Sequence, residues 1–256
     1  MVNSLLLLSG IGMIIIGLIT PIYYWRTKRV RVKYFAFGAL VWFFAFIAKI
    51  IMDLTISGSI GSYLFGIGTI AYVIVYGLYI GLRTGLFESG FSYVFALKIK
   101  LQNITKKQAI AFGLGFGCFE ALFIGFFSFI NILFYVLNPS IINILPEQQA
   151  ELITQMLNQS TWTVPAAIIE RIAVIIIHVF TTLLVFYSLK SSNKKYLWYS
   201  IGFKTIVDGI IPALSIYVGT STITGLYLIE LPFIGLGIVS FYGIKWIISK
   251  WGEKDT

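Results

Sequence analysis

LLLLSGIGMIIIGLITPIYYW (residues 5–25), followed at once by RTKRVRVK (26–33), decides the fold. The first stretch holds no Asp, Glu, Lys, Arg or His, and an α-helix needs about 20 such residues to cross a bilayer. The basic cluster behind it (Arg26, Lys28, Arg29, Arg31, Lys33) suits the cytoplasmic exit of a span. A secretory signal carries its basic region in front of the apolar run, so this run reads as a retained first span. The same unit, a long apolar run closed by a short charged cluster, recurs along all 256 residues. The chain is 58% hydrophobic and 11% charged, with mean hydropathy +0.91; a soluble domain is about 45–50% apolar and about 25% charged. That excludes a water-soluble globular enzyme and a disordered chain. One cysteine, Cys118, inside an apolar run, excludes an internal disulfide and a cysteine-based metal cluster.

The reading is therefore an all-α, polytopic transmembrane bundle occupying 1–256 as one membrane domain in the cell membrane. Seven spans are placed at about 5–25, 34–52, 70–97, 109–137, 164–189, 196–218 and 225–248, with 53–69 as an outer segment. The net charge of +9 does not indicate nucleic acid, because the basic residues sit at the ends of apolar runs, where they face anionic headgroups. Segments 26–33, 98–107, 190–195 and 249–256 carry Lys or Arg, whereas 53–69, 138–163 and 219–224 carry none. With the basic side cytoplasmic, the N-terminus is outside and the C-terminus inside. An eight-span alternative, splitting 62–97, would put Lys98, Lys100, Lys106 and Lys107 outside. In the outer loop 138–163, Pro146 precedes Leu152, Ile153, Met156 and Leu157 at helical spacing, which predicts a short surface helix.

Ionisable residues fall inside these spans: Arg83 and Glu88 in the third, Glu120 in the fourth, Glu170, Arg171 and His178 in the fifth, Lys204 and Asp208 in the sixth, and Glu230 in the seventh. Such groups are costly in hydrocarbon and face a cavity or a partner. Lys49, near a span end, reads as snorkelling. Arg171 and His178, seven apart, share a helix face; Lys204 and Asp208, four apart, are spaced to pair. Gly113 and Gly117 form a small-residue surface for close helix contact, ahead of Glu120. Structural pairing accounts for Lys204–Asp208 as well as any function does, whereas Glu120, His178 and Asp208, on three helices at similar depth, favour a site. No HExxH is present, and one His with one Cys makes a poor zinc set. No metal and no cofactor is assigned.

At these residues the sequence resembles the YhfC-type glutamic intramembrane proteases, related to the CAAX-prenyl proteases and PrsW. Residues 85–93 (GLFESGFSY) align with a Glu-Glu pair followed by Arg, of which Glu88 remains while Ser89 and Ser92 stand at the other two places. Gly113-Leu-Gly-Phe-Gly-Cys-Phe-Glu120 resembles Gly-x-Gly-His-Gly-x-x-Glu, with Phe116 at the histidine; Glu170-Arg171 and His178 match; Lys204-Thr-Ile-Val-Asp208 resembles His-x-x-x-Asp, with Lys204 at the histidine. The resemblance implies a peptidase in which Glu120 or Glu88 activates water, His178 supplies an oxyanion donor and Asp208 orients it, with Glu170, Arg171, Lys204 and Arg83 in support. Its substrate would be a membrane-embedded peptide or protein within the lipid bilayer. The altered positions imply impaired catalysis, or a non-catalytic relative that uses the same cavity for a peptide, a lipid or a partner membrane protein. A proton-relay transporter is a weaker reading, since no inverted repeat is evident.

The orientation is testable with tags on each end. In intact cells an N-terminal tag is expected to be accessible from outside and a C-terminal tag only after permeabilisation; both termini on one side would overturn the seven-span topology.

Overall fold

A computed structural model describes residues 3–218 and 222–252, and the regular structure among them is entirely helical. In chain order the helices are α1 (Ser4–Lys28), α2 (Lys33–Ile67), α3 (Thr69–Lys98), α4 (Lys106–Leu137), α5 (Glu147–Leu157), α6 (Thr163–Lys190), α7 (Lys195–Tyr217) and α8 (Ile223–Lys250). All except α5 are long and apolar enough to cross a membrane. The protein is a multi-pass membrane protein with the seven spans expected. Helices suit the setting because hydrocarbon offers no partner to a free backbone N–H or C=O. The short α5 begins behind Pro146 in the loop between α4 and α6, as the sequence suggested.

The second span differs from its expected extent. The apolar pattern satisfied a crossing by Met52, so 53–69 read as an outer segment, but the helix continues to Ile67 through a π-helical turn at Asp53–Ser57. Nothing between Met52 and Ile67 ends a helix. The chain turns at Gly68, at φ +150° and ψ +158°, where a side chain would be strained, and α3 starts at the next residue. At 1.5 Å per residue α2 runs about 50 Å, against roughly 30 Å of hydrocarbon, so it is longer than a straight crossing needs.

Buried on almost all sides, α6 is the centre of the bundle. It packs against α4, α7 and α8, while α1 and α2 pack on α4 and α3 packs on α7. In lipid no hydrophobic force draws helices together, so close contact relies on small residues. On α4 they serve two directions. Gly113 and Gly117 meet α6: a Cβ at Gly113 would lie 2.8 Å from Val179 Cα, and one at Gly117 3.1 Å from His178 Cβ. Gly115 meets α2, where a Cβ would lie 2.1 Å from the Phe35 carbonyl oxygen, and Gly38 returns the contact 2.0 Å from the Phe112 carbonyl. Thr105 and Gln108 start α4 with reciprocal side-chain caps.

The ends of the bundle are sorted by charge. One buried apolar cluster joins Val30, Leu101, Ile104 and Trp251, from three of the basic segments, with Tyr196, the residue that follows the fourth. At the other end Asn3 donates to the Gln159 carbonyl at 2.8 Å, and Tyr227 to that of Trp162, also at 2.8 Å.

The glycine contacts yield a stability test. Gly38→Ala drives a methyl into backbone and should destabilise by about 1–3 kcal/mol, read as a lower melting temperature in detergent. Gly90→Ala, where nothing lies within 4 Å, should be neutral or stabilising.

Candidate active site

Glu120 lies one turn beyond Gly117, so the close approach of α4 to α6 sets its carboxylate beside both polar residues on the facing stripe of α6. Arg171 donates to Glu120 Oε1 at 2.9 Å, and His178 Nε2 lies 2.9 Å from Oε2. Trp42 of α2 adds its indole N–H to Oε2 at 2.7 Å. Arg171 also pairs with Glu170. The shared face expected of Arg171 and His178 is thus observed, with Glu120 as their common partner.

A second carboxylate completes the centre. Glu88 of α3, 3% exposed, accepts from Lys49 of α2 at 2.6 Å through Oε1 and from Lys204 of α7 through Oε2. The Lys204 ammonium also sits 3.1 Å from His178 Nδ1 and 4.4 Å from the centre of the Phe116 ring, the latter a cation–π contact. An ammonium donates and cannot accept. Nδ1 must therefore accept from Lys204, which leaves the ring proton on Nε2, aimed at Glu120. The contacts form one alternating chain: Lys49, Glu88, Lys204, His178, Glu120, Arg171, Glu170. Three cations meet three carboxylates in it, so charge is neutralised where isolated ions would be expensive.

The structure brings together Glu88, Glu120, His178, Lys204, Arg171 and Glu170. Of the other two, Asp208 lies within electrostatic reach of Lys49, Glu88 and Glu120 but does not contact His178, and Arg83 pairs elsewhere. Asp208 accepts from Thr84 Oγ1 at 2.5 Å, and Lys204 turns to Glu88 and His178 in place of the expected pairing with Asp208. Four-residue spacing permits that pair, but the inward face of α7 offers Lys204 two acceptors from two other helices. Asp208 consequently does not orient His178; Lys204 occupies that position. Arg83 pairs with Asp53 and donates to Ser57 at 3.0 Å, on the π-helical turn of α2, and so serves the α2–α3 junction. Ser89 and Ser92 are engaged in helix contacts: Ser89 hydrogen-bonds Ser200 at 2.8 Å, and Ser92 donates to the Glu88 carbonyl at 2.7 Å.

Sequence reasoning missed Lys49 and Trp42. Lys49 read as snorkelling and Trp42 was not singled out, yet both face the centre. Their seven-residue spacing, the same as that of Arg171 and His178, was the available signal.

Seven crossing helices around an acid–histidine centre at membrane depth describe a class of intramembrane proteins. A family model described as YhfC intramembrane metalloprotease matches residues 12–245. The chain belongs to that family. No curated protein and no solved structure matches it.

The family description implies a metal, and the donors present do not fit one. Metal ligands need lone pairs converging on one point, from imidazole nitrogens free of protons and from carboxylates. The single histidine of the chain gives its Nδ1 lone pair to Lys204 and its Nε2 proton to Glu120. Phe116 and Lys204 stand at the positions where the resemblance places the other histidines. Among the described residues no group of three or more His, Cys, Asp or Glu is placed to hold a metal ion.

A double-mutant cycle tests the wiring. Lys204→Met strands part of the Glu88 charge and is expected to destabilise by about 3–5 kcal/mol, with a coupling to Glu88→Gln of about 0.5–3 kcal/mol. The coupling of Lys204→Met to Asp208→Asn should be smaller than its coupling to Glu88→Gln. Melting curves showing coupling to Asp208 and none to Glu88 would reverse the assignment.

Proposed function

We propose that this chain is a metal-free, charge-compensated member of its family that recognises a membrane-embedded peptide and in which hydrolysis is impaired. One observation carries the reading: all four carboxylate oxygens of Glu88 and Glu120 already accept from fixed protein donors, namely Lys49, Lys204, Arg171, and Trp42 with His178. A general base must direct a lone pair at the water it activates, and here each oxygen is directed at a cation or an N–H. His178 is likewise saturated at both nitrogens. The centre retains the fold and polarity of a peptidase site, but a water activated at any of these oxygens would compete with a donor already held there.

A second reading, hydrolysis by a water activated at Glu120, draws on the 2.9 Å contact between Glu120 and His178. In that scheme His178 supplies the proton donor to a developing oxyanion, and binding of substrate displaces one of the donors on Glu120.

Purified protein in nanodiscs, incubated with membrane-anchored peptides, separates the two. Wild type is expected to bind peptide while cleaving none above the Glu120→Gln background. Phe116→His with Lys204→His, extended by Ser89→Glu and Ser92→Arg, is expected to take up zinc and gain turnover. Wild-type cleavage that falls about 10²–10⁴-fold in Glu120→Gln, at unchanged melting temperature, would establish the second reading and remove the first.

A further inference from the structure

Two cavities with polar side chains in their walls lie at the end of the bundle opposite the basic segments. The inner one, about 240 Å³, is bounded by α1, α4, α6, α8 and the end of α5; Ser9, Asn131, Gln159, Thr163, Glu170 and Glu230 supply its polar wall among apolar neighbours. The outer one, about 550 Å³, opens beside α5 and shares Gln159, Thr163 and Leu226 with the first. Together they make a stepped vestibule that descends from the surface to Glu170. From there the ion pairs continue through Arg171 to Glu120.

Glu230 has no part in the centre. It is 9% exposed, it lines the inner cavity, and its Oε2 has no hydrogen-bond partner among the described residues. Arg171, the cation next to Glu170, is already shared between Glu120 and Glu170. A buried carboxylate without a partner is expensive, and at membrane depth such a group marks a place where something binds or passes. The charge of this end points to what binds. Segment 138–163, which lines both cavities, contains Glu147 and Glu151 and no Lys or Arg, so the approach to the vestibule favours a cation.

We propose that the vestibule binds the ammonium group of a peptide, a lysine side chain or an amino terminus flanking an apolar segment, with Glu230 as its counter-ion. The amide oxygens of Asn131 and Gln159 and the hydroxyls of Ser9 and Thr163 supply acceptors for the remaining N–H groups. About 240 Å³ accommodates the end of one lysine and excludes a folded partner. The inference rests on the peptide-recognition reading and adds the charge that the recognised peptide carries on its outer flank.

The test uses full-length protein in nanodiscs and three synthetic 20-residue apolar peptides that carry lysine, acetyl-lysine or glutamine at the outer flank. The lysine peptide is expected to bind wild type about tenfold more tightly than the other two. Glu230→Gln should abolish that preference while leaving the glutamine peptide unchanged. The acetyl-lysine arm alters only the peptide, so it stands even if the variant folds poorly. Equal binding of the three peptides overturns the vestibule assignment alone, as does a preference that survives Glu230→Gln. Absence of binding by every peptide overturns it together with the peptide-recognition reading.

Discussion

An ammonium held between a carboxylate and an imidazole inside the bilayer is the contact on which the rest depends. Lys204 reaches from α7 to Glu88 on α3 and His178 on α6, and no member of that trio could remain at this depth alone. Taking each ion out of water costs several kcal/mol even after relaxation. The charges are therefore tolerated only in series, each neutralised by the next, from Lys49 to Glu170. Because the members come from α2, α3, α4, α6 and α7, the electrostatic requirement also fixes how those helices sit against one another. The glycines of α4 make the arrangement reachable: without the close approach at Gly117, Glu120 would stand too far from α6 to accept from Arg171 and His178 together.

The same contact alters the chemistry available. A lysine at a position where the related motif has histidine supplies a fixed positive charge directly, and it consumes the imidazole lone pair that a metal would need. Arg171 and Lys49 take further carboxylate oxygens. A centre wired in this way is specific in shape, and each of its carboxylate oxygens already holds a donor before any substrate arrives. The vestibule is the complement of that saturation. There Glu230 keeps one carboxylate oxygen, Oε2, without a hydrogen-bond partner among the described residues, so recognition and neutralisation occupy different depths of one route.

Much of the architecture was legible in one dimension. Hydropathy and the placement of Lys and Arg gave the number of spans, the surface helix behind Pro146 followed from its spacing, and the glycines at 113 and 117 announced the face that meets α6. Depth alone singled out Glu88, Glu120, His178, Arg171 and Lys204, because ionisable groups inside an apolar run are few and conspicuous. Lys49 and Trp42 were not conspicuous. A lysine near a span end and a tryptophan in an aromatic-rich helix each have an ordinary explanation, and only the positions of other helices reveal otherwise. The extent of α2 escaped for a related reason: a crossing needs about 20 residues, and pattern cannot show how far a helix continues once that need is met.

The sequence by itself determined that the chain lies in a membrane, how often it crosses and which residues are too polar to face lipid, because transfer free energies are properties of residues and add along the chain. Only the tertiary structure decided which charge meets which. Lys204 and Asp208 are four apart on one helix, yet each finds its partner elsewhere, Lys204 with Glu88 and His178, Asp208 with Thr84. Pairing energy depends on distances of a few ångströms between side chains of different helices, and those distances are set by packing, which sequence spacing within one helix does not encode.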